Sequence, residues 1–387
     1  MTRMEEYKKS MGPMLKELKF TLHRVRRSPL SIVGIAIILF FVFIAVLAPV
    51  LAPPVYKDEP FTIWRDGFVS KPLPPGTPVS TNMYGQLVRA AGYIVHLWGA
   101  ESGQFDIYYG CIWGTITAFR IGLLVTAVSL IIGLLIGAIS GYYGGAIDEI
   151  MMRFTDIIFA FPGLVLAMAL VVTLPNSLPL ELSQYIFPTV IFIAVTIISS
   201  LILKISSGKS LLLGLICSAM FAALDMYVLK RAPLWPYYVS LNNLDKSLIA
   251  LTIVGWPGYT RLIRGEVLRV KIEDYIEASK AVGCSDFRIL FRHILPNSIY
   301  SILITASLDI GGVVLLAAAL SFLGIGAPRG YADWGQMISF ARNYVTLGMQ
   351  YWYTFFIPGF FIFLFVLGWN LLGDAFRDIL DPTLRRR

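Results

Sequence analysis

The sequence predicts an all-α polytopic membrane protein, and three observations support this prediction. Of the 387 residues, 57% are hydrophobic and 14% are charged, whereas roughly 25% of the residues of a soluble domain are charged. The mean hydropathy is +0.71. Several uncharged stretches are long enough to cross about 30 Å of hydrocarbon as helices, in which every backbone polar group can be paired within its own segment.

Eight stretches of the chain are predicted to cross the membrane. Five of them carry no charge: residues 30–51, 121–140, 157–174, 185–203 and 351–373. Three weaker candidates contain a charge inside or near one end: residues 210–228, 247–266 and 297–324. The first stretch is too long, and its charged leader too extended, for a cleaved signal peptide, so we expect it to remain as a span.

Charge and span positions together predict the domain organisation and orientation. A basic arm (1–29) precedes the first span (30–52), an outer loop (53–113) and a membrane domain (114–387). If the N-terminus is cytoplasmic and there are eight crossings, the inner segments hold 22 of the 32 Lys and Arg residues, as the positive-inside rule requires. We therefore expect both termini in the cytoplasm, with the arm against anionic lipid.

Local motifs predict the character of several elements. The outer loop contains Pro53-Pro54 and Pro74-Pro75, which favours irregular packing over a structured lid. Gly133, Gly137 and Gly141 lie on one helix face and predict the close approach of a second helix.

Two proline-containing motifs are predicted to break their spans. They are residues 159–163, which include Pro162, and residues 256–259, which include Trp256 and Pro257. Backbone groups freed by such breaks are tolerated beside protein or a water-filled path. The motifs therefore line a transport pathway or merely shape helix packing.

Asp309 is a carboxylate inside a predicted span. Such residues are costly in a membrane and commonly have a function. Gly311 and Gly312 follow it, which suggests a broken helix whose freed N–H groups the carboxylate accepts. The alternative is that Asp309 lines the water-filled path.

The stretch from 277 to 296 is a polar island between apolar spans. It predicts a helix over 274–282, a left-handed turn at Gly283, a cap at Ser285, and a second helix over 286–295 that stops or kinks at Pro296. Such a bent pair of helices has no chemistry of its own and is suited to docking on a soluble partner.

Several classes of site are excluded. Ser207-Gly-Lys-Ser210 imitates a phosphate-binding loop but has Leu203 where that loop requires Gly, so no nucleotide site is predicted in this chain. The histidines His23, His96 and His293 have no metal-ligand spacing, and no catalytic triad or carboxylate pair is present. The three cysteines are too far apart along the predicted topology to form disulfides, and no aromatic and basic platform indicates nucleic-acid binding.

The polar island resembles the cytoplasmic Glu-Ala-Ala loop of binding-protein-dependent ABC importer permeases. The matching residues are Glu277, Ala278, Gly283, Leu295 and Pro296, with Ser279 in place of the second alanine and His293 in place of isoleucine. Further motifs at 26–29, 141–145, 159–163, 255–261, 291–297, 320–324 and 370–374 look like the C-type permease of dipeptide and oligopeptide importers. The polar motif that these permeases usually carry in the outer loop is matched only weakly here, at residues 98–101 and 103–106.

The resemblance implies a core of about six spans in the inner membrane, to which residues 175–245 add an inserted apolar hairpin. It implies that the loop at 266–296 docks ATPases and that Glu277 faces a basic groove. The expected partners are a homologous second permease, two ATPases that bind ATP and Mg, an extracytoplasmic solute-binding protein and membrane lipid, with no cofactor in this chain. The expected cargo is a di- or oligopeptide, with oligosaccharides or nickel as alternatives. A secondary transporter or channel is the alternative from another class, and a membrane enzyme comes third.

Overall fold

A computed structural model describes residues 29–179 and 238–380. The helices are α1 (Pro29–Leu51), α2 (Met83–Ala90), α3 (Ile107–Tyr143), α4 (Gly145–Phe159), α5 (Gly163–Thr173), α6 (Asn243–Lys271), α7 (Asp274–Ala281), α8 (Asp286–Ile289), α9 (Leu295–Phe322), α10 (Trp334–Val345) and α11 (Trp352–Leu380). A π turn (Leu290–Ile294) precedes α9 and a 3-10 turn (Met349–Tyr351) precedes α11. The strands are β1 (Thr77–Pro78), β2 (Val95–His96), β3 (Ser177–Pro179) and β4 (Tyr238–Ser240).

The described part of the chain contains four helices that are long and apolar enough to cross a membrane. They are α1, α3, most of α9, and α11 with the turn before it. The pair α4 and α5, bent by 86°, makes a fifth if it is counted as one span. The arginines of α6 make this 29-residue helix too polar to be counted with them. The predicted spans 185–203 and 210–228 lie outside the described residues, so the total of eight stays a prediction.

α3 and α6 pack along their length through the predicted glycine face. A Cβ atom on Gly133 would lie 2.4 Å from the Tyr259 Cβ, and one on Gly137 would lie 2.5 Å from the Thr260 carbonyl oxygen. These distances are shorter than any side chain allows, so the prediction of close approach is confirmed. α3 is 37 residues long and begins well before the predicted 121, because Asp106 caps it by accepting from the Tyr109 N–H at 2.7 Å.

A second apolar layer joins α1, α9, α10 and α11. Phe41 of α1 is completely buried and contacts Phe361 and Phe365 of α11, with ring centroids 6.0 and 5.3 Å apart. The Trp334 ring at the start of α10 lies 5.9 Å from the same side chain. This aromatic cluster fixes the first helix to the rest of the membrane domain.

The two predicted proline breaks have opposite outcomes. The break at 159–163 is confirmed, because α4 ends at Phe159 and α5 begins at Gly163. The break at 256–259 is wrong, since α6 continues through Pro257. The helix passes this turn packed against α3: a Cβ atom on Gly133 would lie 3.1 Å from the Trp256 carbonyl oxygen and 2.9 Å from the Thr260 nitrogen.

The predicted break beside Asp309 is also wrong. α9 runs unbroken through Gly311 and Gly312. A Cβ atom on Gly311 would lie 3.3 Å from the Val366 Cα, so this glycine serves the close approach of α11. Asp309 is satisfied by a different group, because the Tyr259 hydroxyl donates to its Oδ2 at 2.8 Å.

Residues 52–106 form an ordered cap between α1 and α3, which corrects the expectation of irregular packing. β1 and β2 pair antiparallel, with Thr77 opposite His96, and Trp64 and His96 are completely buried. The His96 Nδ1 lies 2.9 Å from Asp106 Oδ2, and its Nε2 lies 3.4 Å from Asp66 Oδ1. A buried polar core of this kind is not visible in local sequence patterns.

Candidate docking site

The polar island contains a first short helix and a sharp turn at Gly283, both as predicted, followed by a second helical segment. α7 ends in a Schellman motif, in which the Gly283 N–H donates to the Lys280 carbonyl at 2.9 Å and the Cys284 N–H donates to the Ser279 carbonyl at 3.1 Å. Gly283 has φ of +81°, a conformation that favours glycine. The turn therefore has one defined geometry.

The second helix differs from its prediction. α8 contains four residues and is followed by the π turn, which leads without interruption into α9. A π turn moves the hydrogen-bond register by one residue, and Pro296 then occupies the first turn of α9, where its missing N–H is not needed. Of the two predicted alternatives at Pro296, a stop or a kink, the stop is therefore wrong. Ser285 precedes α8 but its side chain makes no cap hydrogen bond.

The predicted docking residues fall into an exposed group and a buried one. Glu277, Ala278, Gly283 and Pro296 are exposed, Ser279 is half-buried, and Leu295 is buried. The Ser279 hydroxyl donates to the Tyr275 carbonyl at 2.7 Å. The structure thus brings 277–279 and 283 together on one outer surface, while Leu295 belongs to the support beneath.

Apolar side chains complete this outer surface. Val282 is 84% exposed and Ile272 is 76% exposed. Tyr275 and Phe291 are also exposed. The outer surface of the 266–296 loop therefore carries both the Glu277 carboxylate and exposed apolar side chains.

The inner side of the 266–296 loop packs into the hydrophobic core of the membrane domain. Ile276, Ile289 and Ile294 are completely buried, and they pack in one cluster with Val267 and Ile263 of α6. Burial of each such side chain contributes roughly 1.5–3 kcal/mol. The loop is consequently held as part of the membrane domain and not as a free connection.

Tyr142, the penultimate residue of α3, contacts both halves of the 266–296 loop. Its hydroxyl donates to Asp286 Oδ1 at 2.6 Å, and its carbonyl accepts from the Lys271 ammonium group. The Lys271 Nζ also lies 5.6 Å from the centroid of the Tyr142 ring. Sequence reasoning missed these three residues, although Tyr142 lies in the Gly-Tyr-Tyr-Gly-Gly motif that carried part of the resemblance.

The candidate pathway residues lie in different surroundings. Pro162 is exposed at the bend between α4 and α5, whereas Trp256 and Pro257 are buried. The Trp256 ring stacks on Phe154 at 5.8 Å, which favours the packing alternative for this motif. Asp309 is half-buried on the open face of α9, in one stripe with three exposed residues: Thr305, Gly312 and Leu316.

The described residues contain no candidate metal site, and the two described cysteines are not in a disulfide. Among residues 29–179 and 238–380, no group of three or more His, Cys, Asp or Glu side chains could hold a metal ion. Cys111 is buried and free, and Cys284 is half-buried and free. The phosphate-loop imitation at 207–210 lies outside the described residues.

Comparison with known families gives two matches. Residues 133–386 match the family described as the binding-protein-dependent transport system inner membrane component. Residues 18–75 match the N-terminal TM domain of oligopeptide transport permease C. The two matched regions include the polar island and the first span.

Individual relatives agree with these families. The chain is 30% identical to the dipeptide transport system permease protein DppC of Alkalihalophilus pseudofirmus, over 94% of this chain and 88% of that protein. It is 29% identical to the oligopeptide transport system permease protein OppC of Bacillus subtilis, over 95% and 90%. It is 31% identical to the glutathione transport system permease protein GsiD of Pectobacterium atrosepticum, over 75% and 73%.

Proposed function

The chain belongs to the family of binding-protein-dependent transport system inner membrane components, and from this premise we propose that it forms, with a homologous subunit, an alternating-access pathway for di- or oligopeptides. As a member of this family it is a membrane-spanning transport permease of an ABC importer and not a catalytic enzyme, and the ATPase is a separate subunit. The peptide assignment is supported by the dipeptide, oligopeptide and glutathione permeases among its relatives.

The proposed docking partner of the 266–296 loop is a cytoplasmic ATPase subunit. The observation that carries this proposal is the two-sided loop, in which Glu277 and Val282 are exposed and Ile276 and Ile289 are buried in the membrane domain. A partner bound to the exposed side can displace the loop as a rigid unit. The charge on Glu277 would orient the partner, and the apolar contacts would supply most of the affinity.

The remaining subunits complete the proposed importer. One homologous permease pairs with this chain, two ATPases hold ATP and Mg, and an extracytoplasmic solute-binding protein delivers the peptide. Closure of the ATPases on ATP moves both docking loops, and the spans change from inward-facing to outward-facing. The chain itself carries no cofactor in this scheme.

Asp309 and Pro162 are the proposed pathway-lining residues. Asp309 lies on the open stripe of α9 and its Oδ2 is held by the Tyr259 hydroxyl. A carboxylate in this position is satisfied on one oxygen and leaves the other for water or a passing solute. Pro162 marks the bend at which α5 changes direction.

Reconstitution tests the proposed function. The four membrane and ATPase subunits are placed in vesicles with the solute-binding protein and a labelled dipeptide on one side and ATP on the other. We expect uptake that requires ATP and the binding protein, and that is lowered by Glu277→Lys but not by Glu149→Lys, an exposed acid on α4. Uptake by this chain alone, driven by an ion gradient, would instead indicate a secondary transporter. Uptake of oligosaccharide or nickel but not of peptide would contradict the peptide assignment.

A further inference from the structure

α4 and α6 are joined by two ion pairs that span most of the length of α4. At the first, the Arg264 Nε and Nη2 atoms each lie 2.6 Å from an oxygen of Asp148. The Ser140 hydroxyl donates to the same carboxylate. This two-pronged geometry fixes the direction of both side chains, so the start of α4 is held against α6 and the end of α3.

The second ion pair lies two helical turns further along α4. Arg261 Nη2 is 2.6 Å from Asp156 Oδ1, and its guanidinium carbon lies 4.1 Å from the centroid of the Phe159 ring. Phe159 is the last residue of α4 before the 86° bend. The stack of Phe154 on Trp256 at 5.8 Å lies between the two ion pairs along α4. α4 is therefore fixed to α6 from its first turn to its last.

Only the first of the two pairs differs from an ordinary surface ion pair in its surroundings, because the side chains of Arg261 and Asp156 are 43% and 56% exposed. The side chains of Arg264 and Asp148 are 33% and 18% exposed, whereas those of Arg153 and Glu149, paired within α4, are 77% and 67% exposed. Exposed pairs contribute little, while removal of one partner from a partly buried pair leaves a charge without compensation. Arg264 and Asp148 are consequently the pair whose loss has the larger effect.

The position of these pairs connects the docking loop with the bent segment. α6 ends at Lys271, and α7 of the loop begins at Asp274. α4 leads directly to the bend at Pro162. A displacement of the loop therefore reaches α6 across residues 272–273, as it reaches α9 through the π turn, and the ion pairs are polar contacts that carry it from α6 to α4.

We propose that Asp148, Asp156, Arg261 and Arg264 form a coupling clamp, a set of positioning residues that makes α4 and the bend at Pro162 follow the docking loop when the ATPases close. This inference rests on the proposed function. Without the clamp, ATP would still be hydrolysed and the loop would still move, but the bent segment would no longer follow. The clamp thus affects the number of peptides carried per ATP.

The experiment measures peptide uptake and ATP hydrolysis in the same vesicles, for the wild-type complex and for Arg264→Gln. We expect uptake to fall at least about fivefold, as for a coupling energy at the low end of the usual range, while hydrolysis stimulated by the binding protein changes less than about twofold. The double variant D148R/R264D, with the charges exchanged, should recover much of the ratio. Glu149→Gln with Arg153→Gln, which removes the exposed pair, should leave both rates unchanged.

The outcomes separate the clamp from the proposed function. If the wild-type complex carries no peptide with ATP, the proposed function fails. If it does, and Arg264→Gln lowers uptake and hydrolysis in parallel, the pair is merely structural and the clamp is rejected. Should Arg264→Gln fail to assemble, Arg264→Lys decides, because it keeps the charge but loses the two-pronged contact. If the ratio of peptide uptake to ATP hydrolysis is lower in Arg264→Lys than in the wild-type complex, the clamp is supported. If that ratio is unchanged, the clamp is rejected.

Discussion

Tyr142 shows how one side chain positions the docking loop. It is almost completely buried, and it contacts Lys271, where the chain enters the loop, and Asp286, where the second half begins. The loop has few other polar contacts to α3 among the described residues. Its position relative to the membrane domain therefore depends on a tyrosine more than a hundred residues away in sequence.

Tyr142→Phe removes the hydroxyl and keeps the buried ring. Because hydrogen bonds to charged groups contribute about 1.5–3 kcal/mol and Asp286 is exposed, we expect a loss of about 1 kcal/mol in the local stability of the loop. Amide hydrogen exchange over 274–294 should become about fivefold faster. Tyr143→Phe, at the exposed neighbouring tyrosine, is the matched control. Equal exchange in the two variants would contradict the role of the hydroxyl.

The buried polar core of the cap predicts a pH dependence. Burial alone lowers the pKa of His96, but the neighbouring carboxylates of Asp106 and Asp66 raise it to about 9. Burial raises the pKa of Asp66, yet the neighbouring His96 ring and the hydrogen bond from the Ser80 N–H outweigh it and hold the value below the ordinary range. The Glu101 carboxyl is completely buried and its oxygens have no hydrogen-bond partner among the described residues, so burial raises its pKa well above the usual value.

These shifts act on stability in defined pH ranges. The His96 pKa is higher in the folded protein, so its stabilisation is complete below about pH 6.5 and is lost as the pH rises through about 9. The contribution of Glu101 to the stability of the fold also decreases with rising pH, starting from about pH 4.5, the ordinary pKa of its carboxyl group. Asp66 acts oppositely, because its stabilisation is lost as the pH falls.

His96→Gln should remove the part of the pH dependence that lies between about pH 7 and 9. His96 is expected to account for up to about 3 kcal/mol of the stability that the wild-type protein loses over this range. The variant keeps only the loss that comes from other groups such as Glu101, although it is less stable at pH 7. The measurement is the melting temperature in detergent at several pH values, with His293→Gln on the docking loop as control. A slope that is the same in His96→Gln and wild type would contradict the ion-pair assignment.

At the scale of elements, the contact of α3 with α6 depends on the absence of side chains. Gly137→Val would place methyl groups against the Thr260 carbonyl and the Arg264 backbone N–H, which lie 2.5 and 3.1 Å from the first added carbon. Neither backbone group can rotate away. We expect a loss of about 3 kcal/mol, at the upper end of the usual range for overpacking, measured as a lower melting temperature. Ala127→Val on the exposed face of α3 should have little effect, and similar melting temperatures for the two variants would reject this packing.

The elements also show what the sequence can and cannot predict. The bend at Pro162 and the glycine face of α3 were predictable because each depends on residues adjacent in sequence or one turn apart. Pro257 has the same local chemistry as Pro162, but α3 packs against it and α6 stays continuous. The partner of Asp309 is Tyr259, fifty residues away, and no local pattern indicates such a pair. The docking turn was predictable at Gly283, whereas the anchor at Tyr142 and the clamp at Arg264 come from long-range contacts.

At the scale of the whole molecule, the inserted segment raises the question of topology. β3 and β4 pair antiparallel, with Pro179 opposite Tyr238, so the described residues on either side of 180–237 lie next to each other. A segment that leaves and returns at one point crosses the membrane an even number of times or not at all. Either result preserves the orientation of everything that follows, including the docking loop.

Two crossings in the insertion give the predicted total of eight if the bent pair α4 and α5 and the more polar α6 each cross once as well, and side-specific labelling tests this number. Four variants each contain a single cysteine. One keeps only the native Cys284, and the others carry Lys71→Cys, Lys209→Cys or Arg387→Cys in a chain from which all three native cysteines have been removed. We expect an impermeant maleimide to label Lys71→Cys in intact cells, and the other three only after permeabilisation. The basic turn with Lys204 and Lys209 should lie inside, because cations are retained on the cytoplasmic side. Labelling of Lys209→Cys from outside would show that the insertion does not cross. Labelling of Cys284 from outside would invert the topology and remove the docking loop from any cytoplasmic ATPase.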